Sequence, residues 1–299
     1  MSDSINVPEN WKTILRDDML TAMVGSPQEQ IEANTRLHYA FNFYAPASLY
    51  MYYKPRERNL RTVAENKLWF SAAAKFNDVF DADLLIDREA VLNSLLTQFT
   101  GDDGIRSGSP AWNRAHAEMV QQEKQFSNLF EQFRETTGIV CFSESCSSTL
   151  MWSHYAQNHQ GFCVEYNVLD ICSKVQSAPV PVIYSSERVC LTSINPANIR
   201  HDALYFLGKG LTTKANEWSY ENEWRLIREK EAFGAAWDDE KQGALLPSIT
   251  PKAIILGCEV CKEFEEEVQR YCEESKVNLF KMEKDRAKYQ LNKKQILLF

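Results

Sequence analysis

Short apolar and aromatic runs, bounded by turn-forming residues, recur along the chain and predict β-strands. The predicted strands are 48–53, 67–71, 138–142, 162–166, 179–184, the end of 214–227, 253–257, 277–282 and 295–299. Apolar residues at helical spacing predict helices at 28–43, 59–66, 111–135, from Ser147 or Ser148 to Gly161, 200–213 and 262–275. This order predicts an α+β fold with a mixed, mainly antiparallel sheet core of short strands.

Two long stretches that contain no predicted strand have helical periodicity. In residues 1–45, the apolar positions that begin at Trp11 recur at helical spacing, with a break at Ser26 and Pro27. Residues from about 88 to 137 form two helical stripes around a loop at 101–110 that is rich in glycine, serine and aspartate. We therefore predict a helical N-terminal extension (1–45) and a single α+β domain (46–299) with a helical insertion at about 88–137.

Composition narrows the class of protein without naming a function. The 299 residues are 44% hydrophobic and 25% charged, which is typical of a globular chain. No apolar run approaches the roughly 18 residues that span a bilayer, and the N-terminus lacks a secretory pattern, so we expect no membrane partner and a cytoplasmic location. The net charge of −8 disfavours broad binding to nucleic-acid backbones. The eight cysteines are expected to be reduced thiols.

The stretch MWSHYAQNHQGFCVEY (151–166) combines aromatic rings with neutral polar groups and has no charged residue before Gly161. Such a surface suits a cleft that binds a planar ligand, with Trp152, Tyr155, His154 and His159 as contacts. Five residues on a helix separate two side chains by roughly 140°, so His154 and His159 cannot both face one ion if the helix continues, and no metal is expected. The alternative is that the histidines bond to the backbone or pack on Trp152.

The segment WSYENEWR places two carboxylates two residues apart, at Glu221 and Glu223. On a strand both side chains point the same way, and paired carboxylates in an apolar wall raise one another's pKa. Such a pair suits the stabilisation of a cation or the uptake of a proton. The alternative is a structural ion pair of Glu223 with Arg225 or Lys214.

Two further groups of polar residues stand next to predicted strands. Ser143 and Ser145 end the strand before the aromatic stretch, where hydroxyls either cap the next helix or position a ligand. Asn77 and Asp78 stand between phenylalanines, a pattern typical of a fixed loop in which the rings act as anchors. We include these four residues among the expected substrate contacts, together with Tyr52 and Arg225.

Several motifs together resemble the bacterial domain-of-unknown-function 2971 family. They are FNDVFDA, CFSES followed by MWSHYAQNHQGFCVEY, KANEWSYENEWRLI, and ITPKAIILG, and the resemblance runs from about residue 49 to 282. The family usually has proline at the position of Val79. The family name implies no activity.

A second resemblance is to ADP-ribosyltransferases, which carry a key residue on a first strand, a hydroxyl motif on a later one and Glu-x-Glu on a third. The segments 50–53, 143–145 and 221–223 follow this order, although the first strand lacks the expected Arg or His unless Lys54 or Arg56 serves. The resemblance implies an NAD-consuming enzyme in bacterial defence or a toxin system, with Glu223 stabilising the charge that develops as nicotinamide leaves and with Trp152, Tyr155 or Tyr52 stacking on nicotinamide.

The resemblance to ADP-ribosyltransferases implies that NAD is a substrate and that no cofactor is tightly bound. It also implies a nucleotide ligand and a protein or nucleic-acid acceptor, and leaves the oligomeric state open. One alternative is a non-catalytic module that binds a nucleotide or a protein. Another is a hydrolase or nuclease that uses His154 or His159 with Glu165 or Asp78.

Overall fold

The computed structural model describes residues 8–101, 106–175, 177–193, 199–247 and 249–299, without the side chains of 199–203. Part of the predicted loop at 101–110 and the first seven residues of the predicted extension lie outside these ranges.

Helices and strands alternate throughout the described chain. The α-helices are α1 (Trp11–Val24), α2 (Pro27–Phe43), α3 (Glu57–Ala64), α4 (Arg88–Thr100), α5 (Pro110–Thr136), α6 (Thr149–Tyr155), α7 (Val168–Val175), α8 (Ile199–Gly210) and α9 (Lys262–Ser275). Short 3-10 helices cover Ala73–Lys75, Asn216–Glu221, Lys230–Ala232 and Gly234–Ala236. The strands are β1 (Ser48–Tyr53), β2 (Lys67–Ala72), β3 (Leu85–Ile86), β4 (Thr137–Ser143), β5 (Phe162–Asn167), β6 (Val180–Pro181), β7 (Ile183–Ser185), β8 (Cys190–Leu191), β9 (Thr213–Ala215), β10 (Glu223–Glu229), β11 (Trp237–Asp238), β12 (Gly243–Pro247), β13 (Ala253–Leu256), β14 (Asn278–Lys284) and β15 (Leu291–Leu297).

The chain divides into two compact units, each assembled from distant segments. Unit 1 comprises Met1–Asn42, Ala72–Thr137 and Ile183–Asn216. Unit 2 comprises Phe43–Ser71, Gly138–Val182 and Glu217–Phe299. The division at residue 45 that the sequence suggests remains a prediction.

Unit 2 is built on one open sheet, whose strands lie in this unit apart from the border residues Ala72 and Thr137. Its main path runs β11-β12-β2-β4-β1-β5-β13-β14-β15, and β10 pairs with both β4 and β6. β13 and β14 are parallel, while β1 is antiparallel to both β4 and β5. The sheet is therefore mixed and mainly antiparallel. A core cluster on it contains Trp152, Ala156, Cys163, Ile255, Met282 and Leu291.

Unit 1 is mainly helical, and the core between α4 and α5 also receives Leu207 of α8. Local signals set where these helices begin: Asp87 accepts a hydrogen bond from the backbone N–H of Ala90, and Ser109 accepts one from Trp112. Two small parallel pairs, β3 with β8 and β7 with β9, complete the unit.

The structure confirms the α+β class and corrects several elements. The segment 179–184, predicted as one strand, is split, because β6 pairs with β10 and β7 pairs with β9. The helix predicted to reach Gly161 ends at Tyr155. The sequence patterns did not predict α7 or the β11–β12 hairpin. None of the helices in the described ranges is both long and apolar enough to cross a membrane.

Candidate functional site

Three strands that carry polar motifs are neighbours in the sheet of unit 2. β4 pairs with both β1 and β10, and Tyr50 of β1 lies opposite Ser143 at the end of β4. The Ser143 hydroxyl donates a hydrogen bond of 2.6 Å to the backbone carbonyl of Glu221, just before β10. Residues far apart in the sequence thus meet at one junction, which we call the strand junction (Tyr50, Ser143 and Glu221).

Glu223 and Arg225 form a buried ion pair at the start of β10. Arg225 Nε lies 2.7 Å from Glu223 Oε1, and Arg225 Nη2 lies 3.1 Å from Glu223 Oε2. The two residues are 5% and 0% exposed. Side chains two residues apart on a strand share a face, which allows this bidentate contact. The ion pair with Arg225, one of the two alternatives for Glu223, is therefore present.

Glu221 is not on the strand, so the expectation that it points the same way as Glu223 because both lie on one strand is wrong. It ends a 3-10 helix, and Asn222 takes a left-handed conformation with φ of 43° before β10 begins. Glu221 is 3% exposed, and its Oε1 accepts a hydrogen bond from the Tyr155 hydroxyl. The turn is fixed because the backbone N–H of Glu144 donates to the carbonyl of Asn222 over 3.1 Å.

An aromatic surface stands next to Glu221, and we call it the aromatic platform (His154, Tyr155, Trp218 and Tyr220). His154 Nδ1 lies 2.9 Å from the Tyr220 hydroxyl, and its ring contacts those of Tyr155 and Tyr220 edge-on. The rings of Trp218 and Tyr220 lie 6.2 Å apart. His154 is exposed and the other three are half-buried, so the platform presents ring surface to solvent.

Tyr155 links the aromatic platform to Glu221. Burial, followed by the negative charge of Glu221, raises the pKa of the Tyr155 phenol. The phenol therefore stays protonated at neutral pH and acts as a hydrogen-bond donor to the carboxylate.

Trp152 is a core residue, because its side chain is fully buried. Its Nε1 donates to the carbonyl of Cys146 over 2.7 Å, and its ring meets Tyr52 edge-on at 5.2 Å. The Tyr52 hydroxyl in turn donates to the carbonyl of Ser145 over 2.7 Å. A ring without exposed surface has no face to offer a planar ligand, which argues against the expected stacking on Trp152.

His159 lies in a turn after α6 rather than on the helix. Gln157, Asn158 and His159 all have positive φ, which ends the helix between the two histidines. The His159 ring stacks on Trp152 with centroids 6.4 Å apart, and Nε2 lies 3.2 Å from Ser153 Oγ. This matches the alternative in which the histidine packs on Trp152.

The serines at the end of β4 and directly after it stabilise local backbone. Ser143 Oγ also accepts from the backbone N–H of Ser145 over 3.2 Å. Ser145 Oγ accepts from the N–H of Ser147, and Ser148 Oγ accepts from the N–H of Met151 at the start of α6. Capping therefore accounts for Ser148, while Ser143 holds the turn before β10.

Asn77 and Asp78 belong to unit 1. Asp78 Oδ1 accepts from the backbone N–H of Phe80 over 3.0 Å, so the predicted local side-chain bond is present. Phe80 itself is 56% exposed, with the Arg188 guanidinium 5.6 Å above its ring. The Phe80 ring is therefore not a buried anchor of the loop, and its contact is with Arg188 at the surface.

Glu165 is held by positive groups from distant parts of unit 2. Lys252 Nζ lies 2.6 Å from its Oε1, Lys293 Nζ lies 3.5 Å from its Oε2, and the Ser48 hydroxyl donates to Oε1 over 2.9 Å. Burial alone would raise the pKa of Glu165, but the bonds from Lys252 and Ser48 and the charge of Lys293 hold the pKa below its usual value.

The described residues contain no group of three His, Cys, Asp or Glu side chains that could hold a metal ion. Sequence reasoning missed Trp218 and Tyr220 as contacts of the site, although both lie within three residues before Glu221 in the motif. It also missed the lysines around Glu165, for which a single sequence carries no signal because they lie 87 and 128 positions away.

The fold and site define an α+β protein in which a strand junction joins a buried acid–arginine pair to a partly exposed aromatic platform. Residues 151–226, which include the platform, both acids and Arg225, match the family described as Protein of unknown function (DUF2971). The resemblance to that family is thus confirmed for this segment. Searches of curated proteins and of solved structures give no significant match. The likeness to ADP-ribosyltransferases remains a prediction.

Proposed function

We propose that the protein is an NAD-consuming enzyme of the ADP-ribosyltransferase-like type, with its reaction centre at Glu221 and the aromatic platform. The contact between the Tyr155 hydroxyl and Glu221 Oε1 carries the proposal, because it places a carboxylate behind an exposed ring surface. A planar, positively charged nicotinamide ring suits such a surface, since aromatic faces attract cations. The proposal makes NAD a substrate and includes no tightly bound cofactor.

Glu221 is better suited than Glu223 to stabilise a developing cation. The charge of Glu223 is offset by the two contacts from Arg225 at 2.7 and 3.1 Å. Glu221 Oε1 accepts a hydrogen bond from Tyr155, so its carboxylate adjoins the aromatic platform on which the nicotinamide ring is proposed to bind. We therefore assign the catalytic role expected of Glu223 to Glu221, and a positioning role to Glu223.

In the proposed reaction the bond between the ribose C1′ and the nicotinamide nitrogen breaks. Nicotinamide leaves with the electron pair as a neutral molecule, and the ribose becomes an oxocarbenium-like cation that Glu221 stabilises. Water or an acceptor nucleophile then bonds to C1′ and loses a proton to solvent. Protein and nucleic acid are both proposed acceptors, and bacterial defence or a toxin system is the proposed context.

A second candidate is a non-catalytic module that binds a nucleotide or a protein on the aromatic platform. It is favoured by the internal bonding of both acids, Glu223 to Arg225 and Glu221 to Tyr155. This candidate predicts ligand binding without turnover.

The test compares nicotinamide release from NAD by the wild type, Glu221→Gln and Glu217→Gln, with water alone and with a panel of proteins, RNA and DNA. Glu217 is the control because it is exposed on the same 3-10 helix. We expect Glu221→Gln to lower release by about 10²- to 10³-fold, the usual cost of removing one electrostatic contact to a transition state. Glu217→Gln should stay within about twofold.

Equal release by wild type and Glu221→Gln would reject the assignment of Glu221. If the wild type releases no nicotinamide under any condition but binds NAD in calorimetry, the binding module is favoured. In that case Tyr220→Ala should abolish binding, while Glu221→Gln should change it little.

A further inference from the structure

The hairpin of β14 and β15 forms one wall of a groove in unit 2. The groove has a volume of about 570 Å³ and is lined by Thr149, His159 and the turn residues 284–291. We call it the hairpin groove. None of its turn residues contributes to the strand junction or to the aromatic platform.

The hairpin is basic in an acidic protein. The segment 281–294 contains two acids, Glu283 and Asp285, and six basic residues, namely Lys281, Lys284, Arg286, Lys288, Lys293 and Lys294, whereas the whole chain carries a net charge of −8. Positive charge is therefore concentrated where the groove lies, which favours an anionic ligand.

Ion pairs divide these basic residues into two sets. Lys281, Lys293 and Lys294 pair with Glu265, Glu165 and Glu283, and the ammonium of Lys284 contacts Glu259. Arg286 and Lys288 line the groove and have no ion pair with any described residue. These two cations remain available to a ligand.

Asp285 lines the groove, but its carboxylate is used within the turn. Oδ1 accepts from the backbone N–H groups of Ala287 and Lys288 over 2.8 and 2.9 Å, and Oδ2 accepts from Asn292 over 3.0 Å. These bonds, led by the one from Ala287, hold the pKa of Asp285 below its usual value. The carboxylate therefore fixes the turn that presents Arg286 and Lys288 on either side of Ala287.

Two rings border the groove. Tyr289 lines it and is fully exposed, an unusual position for an aromatic side chain without a partner. His159 is held in place by its stacking on Trp152. Burial, followed by the charge of Lys284, lowers the pKa of His159, so this ring forms a neutral wall.

We propose that the hairpin groove binds the phosphate groups of a nucleotide, either free or within a single-stranded nucleic acid. Arg286 and Lys288 contact the phosphates, and Tyr289 stacks on a base. Cations beside a bare aromatic ring are the combination that single-strand-binding surfaces use, since every base has a face that can stack. A groove of about 570 Å³ accommodates one or two nucleotides at the size of ordinary ligand pockets. This site does not depend on the proposed reaction at Glu221.

Fluorescence anisotropy with two probes tests this inference, namely a labelled single-stranded oligothymidylate of twelve nucleotides and a fluorescent ADP derivative. Wild type is compared with Arg286→Gln/Lys288→Gln and with Lys262→Gln/Lys294→Gln. The second variant is the matched control, because it removes the same charge from exposed lysines of unit 2 that do not line the groove.

We expect the groove variant to weaken binding at least tenfold and the control less than twofold. For the oligonucleotide, the slope of log K against log salt should fall in magnitude by about 1.4, since each phosphate contact to a single strand contributes about 0.7. Tyr289→Ala should weaken binding roughly 5- to 150-fold, as expected for loss of one stacked base.

Binding of both probes supports a site for a free nucleotide, and binding of the oligonucleotide alone supports a site for a strand. The inference is overturned if neither probe binds or if both double variants behave alike. A labelled polyglutamate peptide serves as a further probe. If the groove variant weakens binding of this peptide as much as it weakens binding of the nucleotide probes, the inference is also overturned, because the groove would then recognise acidic charge and not phosphate.

Discussion

At the scale of single residues, Glu223 and Arg225 show how a polar pair is stabilised inside unit 2. Each is almost completely buried, and a charge at such a depth is costly unless it is paired and hydrogen-bonded. Their bidentate contact meets this need through the spacing of two residues on one strand. Removing one partner would therefore leave the other charge buried without this contact.

We predict that Arg225→Met lowers the free energy of unfolding by about 3–5 kcal/mol, because it leaves the Glu223 carboxylate buried without its guanidinium partner. Urea unfolding followed by circular dichroism measures this change. The control is Arg58→Met at an exposed position of α3, which should alter the free energy by no more than about 0.5 kcal/mol. Similar changes in both variants would show that the ion pair has no special role.

Neighbouring residues in the aromatic stretch 151–166 differ in how far their side chains are buried. Trp152 is fully buried, His154 is exposed, and Tyr155 lies between these extremes. The sequence identified the stretch as unusual because it lacks charge. It could not assign burial residue by residue, because α6 has only seven residues and its pattern is too short to define a face.

At the scale of elements, helix α1 buries the face that packs against residues of unit 1 far away in the sequence. Leu15 and Leu20 are buried, whereas Met23 is 71% exposed. Leu20 packs against α8 at Gly208, where an added Cβ would lie 2.3 Å from Leu20 Cδ2. A glycine at this point of α8 therefore allows the close approach of the Leu20 side chain.

We predict that Leu20→Ala lowers the free energy of unfolding by about 2–5 kcal/mol, because it leaves a cavity beside Gly208. Met23→Ala, on the exposed side of the same helix, should change the free energy by no more than about 0.5 kcal/mol. Chemical denaturation of both variants gives the comparison. Equal effects would mean that α1 contributes no packing to the core of unit 1.

Several element boundaries followed from local signals and others did not. Helix α9 was predicted with its observed bounds, and β1 was also predicted correctly. The segment 179–184 was predicted as one strand because its residues have strand propensity. The backbone N–H of Val182 donates to Glu223, while that of Ile183 donates to Thr212. This change of partner between adjacent residues divides the strand, and single-sequence patterns do not encode it.

At the scale of the whole molecule, charged contacts join parts of unit 2 that are distant in the sequence. Glu165 on β5 meets Lys252 ahead of β13, Lys293 on β15 and Ser48 on β1. The Glu165 carboxylate thus contacts residues from segments that are distributed over most of the chain length. Because these contacts exist only in the folded state, they make stability depend on pH.

We predict that the stability advantage of the wild type over Glu165→Gln shrinks as pH falls from about 6 to about 3. The folded-state pKa of Glu165 lies below its ordinary value of about 4.3, so the stabilisation is fully present above that value and is lost as pH falls through the folded-state pKa. Urea unfolding at several pH values measures the difference between the two proteins.

The control is Glu217→Gln, an exposed carboxylate of the same unit, which should differ from wild type by no more than about 0.5 kcal/mol at each pH. A difference between wild type and Glu165→Gln that is constant from pH 6 to pH 3 would contradict the assigned contacts.

The sequence by itself determined the α+β class, most helices and strands, and the position of an unusual uncharged aromatic stretch next to an acidic motif. These features depend on propensities and spacings within a few residues, which a single sequence carries. The tertiary structure decided that Trp152 is buried, that Arg225 pairs with Glu223, that Glu221 bonds to Tyr155, and that Arg286 and Lys288 line one groove. Such outcomes depend on which distant segments pack together, because burial and pairing free energies arise only between residues that folding brings into contact.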